Sequence, residues 1–150
     1  MIVAFCGHGD FLQTQEITKR MMKVLEEEIG ESSAELFLGG YGNFDAFAHA
    51  CGKAYKSGHK NVSLTLVTPY MTDQYQKKHL EPVKGDYDTI LYPDLEGKPL
   101  RFAISYRNKF MIEQAHLVIA YVNHEWGGAY KTLQHAKRKG KKIVNLGTLL

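Results

Sequence analysis

Five short apolar runs, alternating with stretches of helical spacing, constrain this chain more than any other feature. They occupy residues 2–6, 34–38, 61–68, 116–122 and 142–146. An unbroken run of roughly four to eight apolar residues suits a strand buried on both faces. Between the first two runs, Ile17, Met21, Val24 and Leu25 recur at helical spacing, with Asp10 as the expected N-cap and Gly30 as the stop. After the second run, Asn43 is placed to cap a helix ending at Gly58, with Phe44, Phe47, Ala48, Cys51 and Tyr55 on one stripe. Helical spacing returns over residues 100–115 and again over 130–139.

Repeated strand–helix alternation predicts an α/β fold: a doubly wound, mostly parallel sheet of about five strands with helices on both faces. In such sheets ligands bind outside the carboxyl ends of the strands, where the strand order reverses. The segments that follow strands are Gly7-His8-Gly9, the turn at 39–42, Thr68-Pro69-Tyr70 and residues 123–128. They are expected to converge on one edge. The pattern breaks only over 70–99, where Pro82, Gly85, Pro93, Gly97 and Pro99 punctuate a polar stretch with one short helix expected near 73–79. A connection this long in a compact domain is usually functional.

At 150 residues the chain makes one domain, 1–150, with room for a full core. A net charge of +3 is too weak to argue for nucleic acid, and the basic run at 137–142 is explained by the dipole of a last helical turn. Cys6 and Cys51 read as buried free thiols. The seven histidines show no spacing that suits zinc, so no metal site is expected. The first apolar run lacks a basic leader and no run is long enough to span a bilayer, which predicts a cytoplasmic protein without membrane contact.

Two glycine turns carry the chemistry. One is Gly39-Gly40-Tyr41-Gly42-Asn43, the other Gly127-Gly128-Ala129, and each lies between a strand and a helix. Glycine there admits positive φ and close approach to the backbone. The helix start beyond offers unpaired N–H groups and a positive dipole end, which suit phosphate. A phosphorylated small molecule is the expected partner.

Three segments in order extend this. They are Gly39-Gly40-Tyr41-Gly42-Asn43-Phe44-Asp45, then Arg107-Asn108-Lys109-Phe110-Met111 before the fourth run, then Gly127-Gly128-Ala129 with Thr132. Their order and spacing resemble the SLOG superfamily, which contains the LOG phosphoribohydrolases, the DprA proteins and the YpsA-like proteins. The opening Cys6-Gly7-His8-Gly9 is most similar to the YpsA-like branch. The resemblance implies a Rossmann-like fold that binds a nucleotide or nucleotide-derived ligand, and, by analogy with LOG proteins, a homodimer. It implies ligand contacts at Gly7, His8, Gly39, Gly40, Gly42 and Asn43. It extends them to Asp45, Thr68, Arg107, Asn108, Gly127, Gly128, Ala129 and Thr132.

In LOG enzymes an arginine and a glutamate serve N-glycosidic cleavage. Arg107 and Met111 match the helix that carries the arginine, whereas Gln134 or Lys131 falls where the glutamate is expected. A carboxylate stabilises the oxocarbenium character of that reaction, and an amide carries no charge. Sensing or carrying a nucleotide is therefore the first reading. N-glycoside hydrolysis, with Glu125 or Asp45 beside Arg107, is the second. DprA-like nucleic-acid binding is the third, and the modest charge opposes it.

Overall fold

The computed structural model describes residues 1–149. Six strands form one sheet: β1 (Ile2–Gly7), β2 (Ala34–Leu38), β3 (Val62–Val67), β4 (Thr89–Leu91), β5 (Leu117–Tyr121) and β6 (Lys142–Asn145). The order is β4-β3-β2-β1-β5-β6 and every pairing is parallel. The chain walks outward from β1 to β4, then returns to β5 on the other side of β1. The order therefore reverses between β1 and β5, whose carboxyl ends meet with Gly7 opposite Tyr121.

The helices are α1 (Gln15–Glu28), α2 (Asn43–Ser57), the single turn α3 (Asp73–Tyr75), α4 (Ala103–Gln114) and α5 (Gly128–Arg138). Strand side chains alternate between two cores. Val3 and Phe5 of β1 pack with Met21, Leu25, Phe44 and Phe47 from α1 and α2. Ala4 and Cys6 pack with Met111, Ile112, Leu133 and Ala136 from α4 and α5. Both cysteines are free and buried. No helix among the described residues is long and apolar enough to cross a membrane.

Three sequence expectations need correction. The sheet has a sixth strand, β4, which is short and only partly buried and so lacks a continuous apolar run. Helix α1 is capped by Thr14, whose Oγ1 accepts the Ile17 N–H at 3.2 Å; Asp10 lies in the preceding turn. Helix α2 takes Gly42 as its N-cap, with Asn43 the first helical residue and no side-chain cap. The short helix expected in 70–99 exists as α3, continued by a wider π turn over Gln76–Leu80.

Candidate functional site

Strand β1 ends on glycine because α2 leaves no space there: a Cβ on Gly7 would lie 2.3 Å from the Phe44 ring. The next residue, His8, is 6% exposed and ties the two sides of the switch point together. Its backbone N–H donates to Tyr121 at 3.3 Å, and its Nε2 accepts the Asn123 N–H at 3.1 Å. The His8 ring stacks on His124 with centroids 3.7 Å apart, and His124 stacks on Trp126 at 3.6 Å. Burial, reinforced by His124 and opposed by Asp10, holds the His8 pKa below the ordinary imidazole value. A neutral ring with an accepting Nε2 carries its proton on Nδ1. This three-ring column forms one wall of a cleft of about 420 Å³ at the switch point.

The second wall comes from α4. Arg107 is 3% exposed, and its Nη1 donates to the carbonyl oxygens of Gly39 at 2.9 Å and Val67 at 2.8 Å. Its Nε donates to the Asn108 side-chain oxygen at 2.9 Å. One guanidinium thus pins the ends of β2 and β3. Asp45, in the first turn of α2, accepts the Tyr41 N–H at 3.0 Å. A Cβ on Gly39 would stand 3.0 Å from the Asp45 carboxylate and 3.2 Å from the Arg107 guanidinium carbon, so Gly39 lets the two charges face one another. Burial raises the Asp45 pKa to about 6 against the pull of the Tyr41 N–H and Arg107. Burial also lowers the Arg107 pKa, with Asp45 opposing. Cys6 lines the cleft, but burial lifts its thiol to about 12, so it is protonated at neutral pH.

The two glycine corners differ in what they present to the cleft. At the first, the Asn43 N–H donates to the Gly9 carbonyl at 3.0 Å and the Tyr41 N–H to Asp45. Although the Phe44 and Asp45 amides have no acceptor among the described residues, Gly42 and Asn43 do not line the cleft. At the second, the amides of Gly127, Gly128, Ala129 and Tyr130 have no acceptor among the described residues. Gly127, Gly128 and Ala129 of this corner line the cleft. Thr132, one turn on, donates its hydroxyl to Gly128 at 2.9 Å.

The cleft brings together Gly7, His8, Gly39, Asp45, Arg107 and Asn108, and adds Gly127, Gly128, Ala129 and Thr132 across from them. Gly40 and Thr68 line an adjoining cleft instead. Gly42 and Asn43 line neither, being packed against Gly9. Glu125 is exposed and lines neither. Gln134 faces a separate groove between α4 and α5. Sequence reasoning missed Asp10, Tyr41, Ile104 and His124 as lining residues. For His124 a signal was present: it stands two residues before Trp126 in a loop that follows a strand.

A parallel sheet reversing beside β1, with a glycine corner at the head of α5, defines a Rossmann-like fold. Solved structures share it. DNA processing protein A (DprA) of Streptococcus pneumoniae matches at TM-score 0.63 and 19% identity over 95% of this chain and 49% of that one. DprA of Helicobacter pylori, known for its single-stranded DNA binding mode, matches at 0.62 and 16% over 97% and 64%. The Moco carrier protein of Chlamydomonas rheinhardtii matches at 0.52 and 14% over 98% and 76%. This chain therefore spans about half to two thirds of the DprA chains, and at these identities the likeness is one of fold. No protein-family model and no curated protein sequence matches the chain.

Proposed function

We propose that this domain binds a nucleotide or nucleotide-derived ligand in the switch-point cleft, with its phosphate on the N-terminus of α5. The observation that carries this reading is the set of unpaired amides at Gly127–Tyr130, opening on the cleft at the sheet's point of reversal. Such a helix start combines free donors with the positive end of the dipole. The Nη1 and Nε of Arg107 are engaged within the protein, which leaves Nη2 as the guanidinium donor for the ligand. Trp126, 68% exposed at the mouth, offers a flat apolar face. The His8 column is in keeping with kinship to the YpsA-like branch, whose start the sequence resembles.

The test is a thermal-shift and calorimetry series with ribose 5-phosphate, adenosine and guanosine monophosphates, and inorganic phosphate. A ligand at about a hundred times its dissociation constant adds about 2.7 kcal/mol to stability. Gly127→Val, placed at φ +91 where a branched side chain distorts the corner, is expected to lose that shift. No shift with any phosphorylated probe, or an undiminished shift in the variant, overturns the reading. Light scattering on the same samples reports whether the chain forms the homodimer that the LOG analogy implies.

Asp45 favours a second reading, N-glycoside hydrolysis. It is the half-buried carboxylate beside Arg107 in the cleft, and a group with pKa near 6 changes charge close to neutral pH. Release of free base from a nucleoside monophosphate, lost in Asp45→Asn with binding retained, establishes it. The DprA likeness adds single-stranded DNA as a competitor. Oligonucleotide binding that weakens steeply with salt, in place of mononucleotide binding, would move the function there.

A further inference from the structure

The switch-point cleft has a neighbour of equal size, about 420 Å³, at the ends of β2 and β3. The two share Gly39, Tyr41, Ile104 and Arg107, so they adjoin one another with the arginine between them. Their chemistries differ. The first is lined by helix-start amides, Asp10, Asp45 and His8. The second contains no Asp, Glu or Lys; its lining is aromatic and aliphatic, with Arg107 and His79 as its only basic groups.

The long segment after β3 builds the second cleft. Thr68 closes a turn by accepting the Tyr70 N–H and donating to the Tyr70 carbonyl. Thr72 caps α3 by accepting the Tyr75 N–H at 3.2 Å. These two turns hold a ladder of rings: Tyr70 meets Tyr75 edge-on at 5.0 Å, and Tyr75 leans on His79 at 4.6 Å. Across from the ladder lie Leu66 and Gly40, where a Cβ at 40 would stand 2.7 Å from Leu66 and 3.8 Å from the Tyr87 hydroxyl. The phenol oxygens of Tyr70, Tyr75 and Tyr87 have no hydrogen-bond partner among the described residues. Flat walls with a few unspent hydroxyls and no carboxylate suit an uncharged, planar, heteroatom-bearing ring.

We propose that the second cleft is the subsite for the ligand's heterocycle: a nucleobase enters between the Tyr70–Tyr75–His79 ladder and the Gly40–Leu66 floor, while the phosphate stays at α5. This rests on the reading above that the first cleft holds the phosphate. It assigns the segment between β3 and α4 the task of reading the base, and it leaves Trp126 outside that contact.

Calorimetry with ribose 5-phosphate, adenosine and guanosine monophosphates, and the two free nucleosides separates the halves. The heterocycle is expected to strengthen binding over ribose 5-phosphate by about tenfold or more, the scale of a base stacked on an aromatic ring. Tyr75→Ala removes the middle of the ladder and is expected to erase that gain while ribose 5-phosphate binds as before. Val83→Trp, which narrows the cleft from its rim, is expected to do the same, so the test survives if Tyr75→Ala fails to fold. Nucleosides that bind wild type and not these variants, with no response to ribose 5-phosphate, would support the base subsite while removing the phosphate reading. Equal binding of ribose 5-phosphate and the nucleotides overturns the subsite, as does a gain that survives both variants and is lost in Trp126→Ala. Absence of nucleoside and nucleotide binding overturns both.

Discussion

Gly42 and Gly127 stand at the heads of α2 and α5 with almost the same backbone: φ +90, ψ 172 at one and φ +91, ψ 176 at the other. Their surroundings are opposite. A Cβ on Gly42 would lie 2.9 Å from the Gly9 Cα, and the neighbouring Asn43 N–H is spent on the Gly9 carbonyl. A Cβ on Gly127 meets no atom within 4 Å, and the amides beyond it are unspent. One corner joins two loops of the protein; the other faces the cleft. Positive φ at a helix start is thus not sufficient for a phosphate cradle, because the corner must also be open to the cleft.

The sharpest way to break this comparison is to put valine at each glycine. Both positions carry the strain of a positive φ, but only Gly42→Val also drives a side chain into backbone. Urea unfolding is expected to show a loss of about 3–4 kcal/mol there, against about 1–2 kcal/mol for Gly127→Val. Equal losses would mean that the two corners are alike after all.

Next in size is Arg107→Ala, which strands the Gly39 and Val67 carbonyls and leaves Asp45 without its counter-charge. A destabilisation of about 2–3 kcal/mol is expected, the range for buried charged hydrogen bonds. A loss of affinity with unchanged stability would instead show that the arginine serves the ligand alone.

Asp45→Asn tests the charge at the first corner through pH. The folded protein raises the Asp45 pKa from 3.8 to about 6, so it holds that proton more tightly than the unfolded chain does. This group's contribution to stability is greatest below about pH 4 and is lost as pH rises through 6. The asparagine variant keeps an oxygen for the Tyr41 N–H and removes the ionisation. It is expected to gain on wild type at pH 8 and to lose that advantage at pH 4, by denaturation at both values. A gap that does not depend on pH refutes the assignment.

The smallest stability effect belongs to Trp126→Ala. The ring is 68% exposed and stacks on His124, so unfolding is expected to shift by about 0.5 kcal/mol or less. A large shift would make the His8–His124–Trp126 column a structural prop of the second corner.

Much of the fold was legible before any coordinates. The stripe Phe44, Phe47, Ala48, Cys51 and Tyr55 is buried throughout, as its spacing predicts, and five of the six strands lie within a residue of the apolar runs that announced them. β4 was not legible, because a three-residue edge strand with Thr89 exposed and Ile90 and Leu91 partly buried needs no apolar run. The cleft was half legible. Arg107 and the glycine turns stood out by their positions, while Asp10 and Tyr41 did not stand out as cleft residues, since nothing local marks a side chain that matters only because another loop arrives beside it.

Periodicity and glycine placement determined the alternation of strands and helices, the two cores and the edge on which a ligand site must lie, because burial and backbone sterics act within a few residues of chain. Which amides remain free, which charge is masked and which clefts adjoin were decided only in three dimensions. Gly9 reaches Asn43 across 34 positions of sequence and Arg107 reaches Gly39 across 68. A hydrogen-bond donor is available to a ligand only if no part of the folded chain has reached it first.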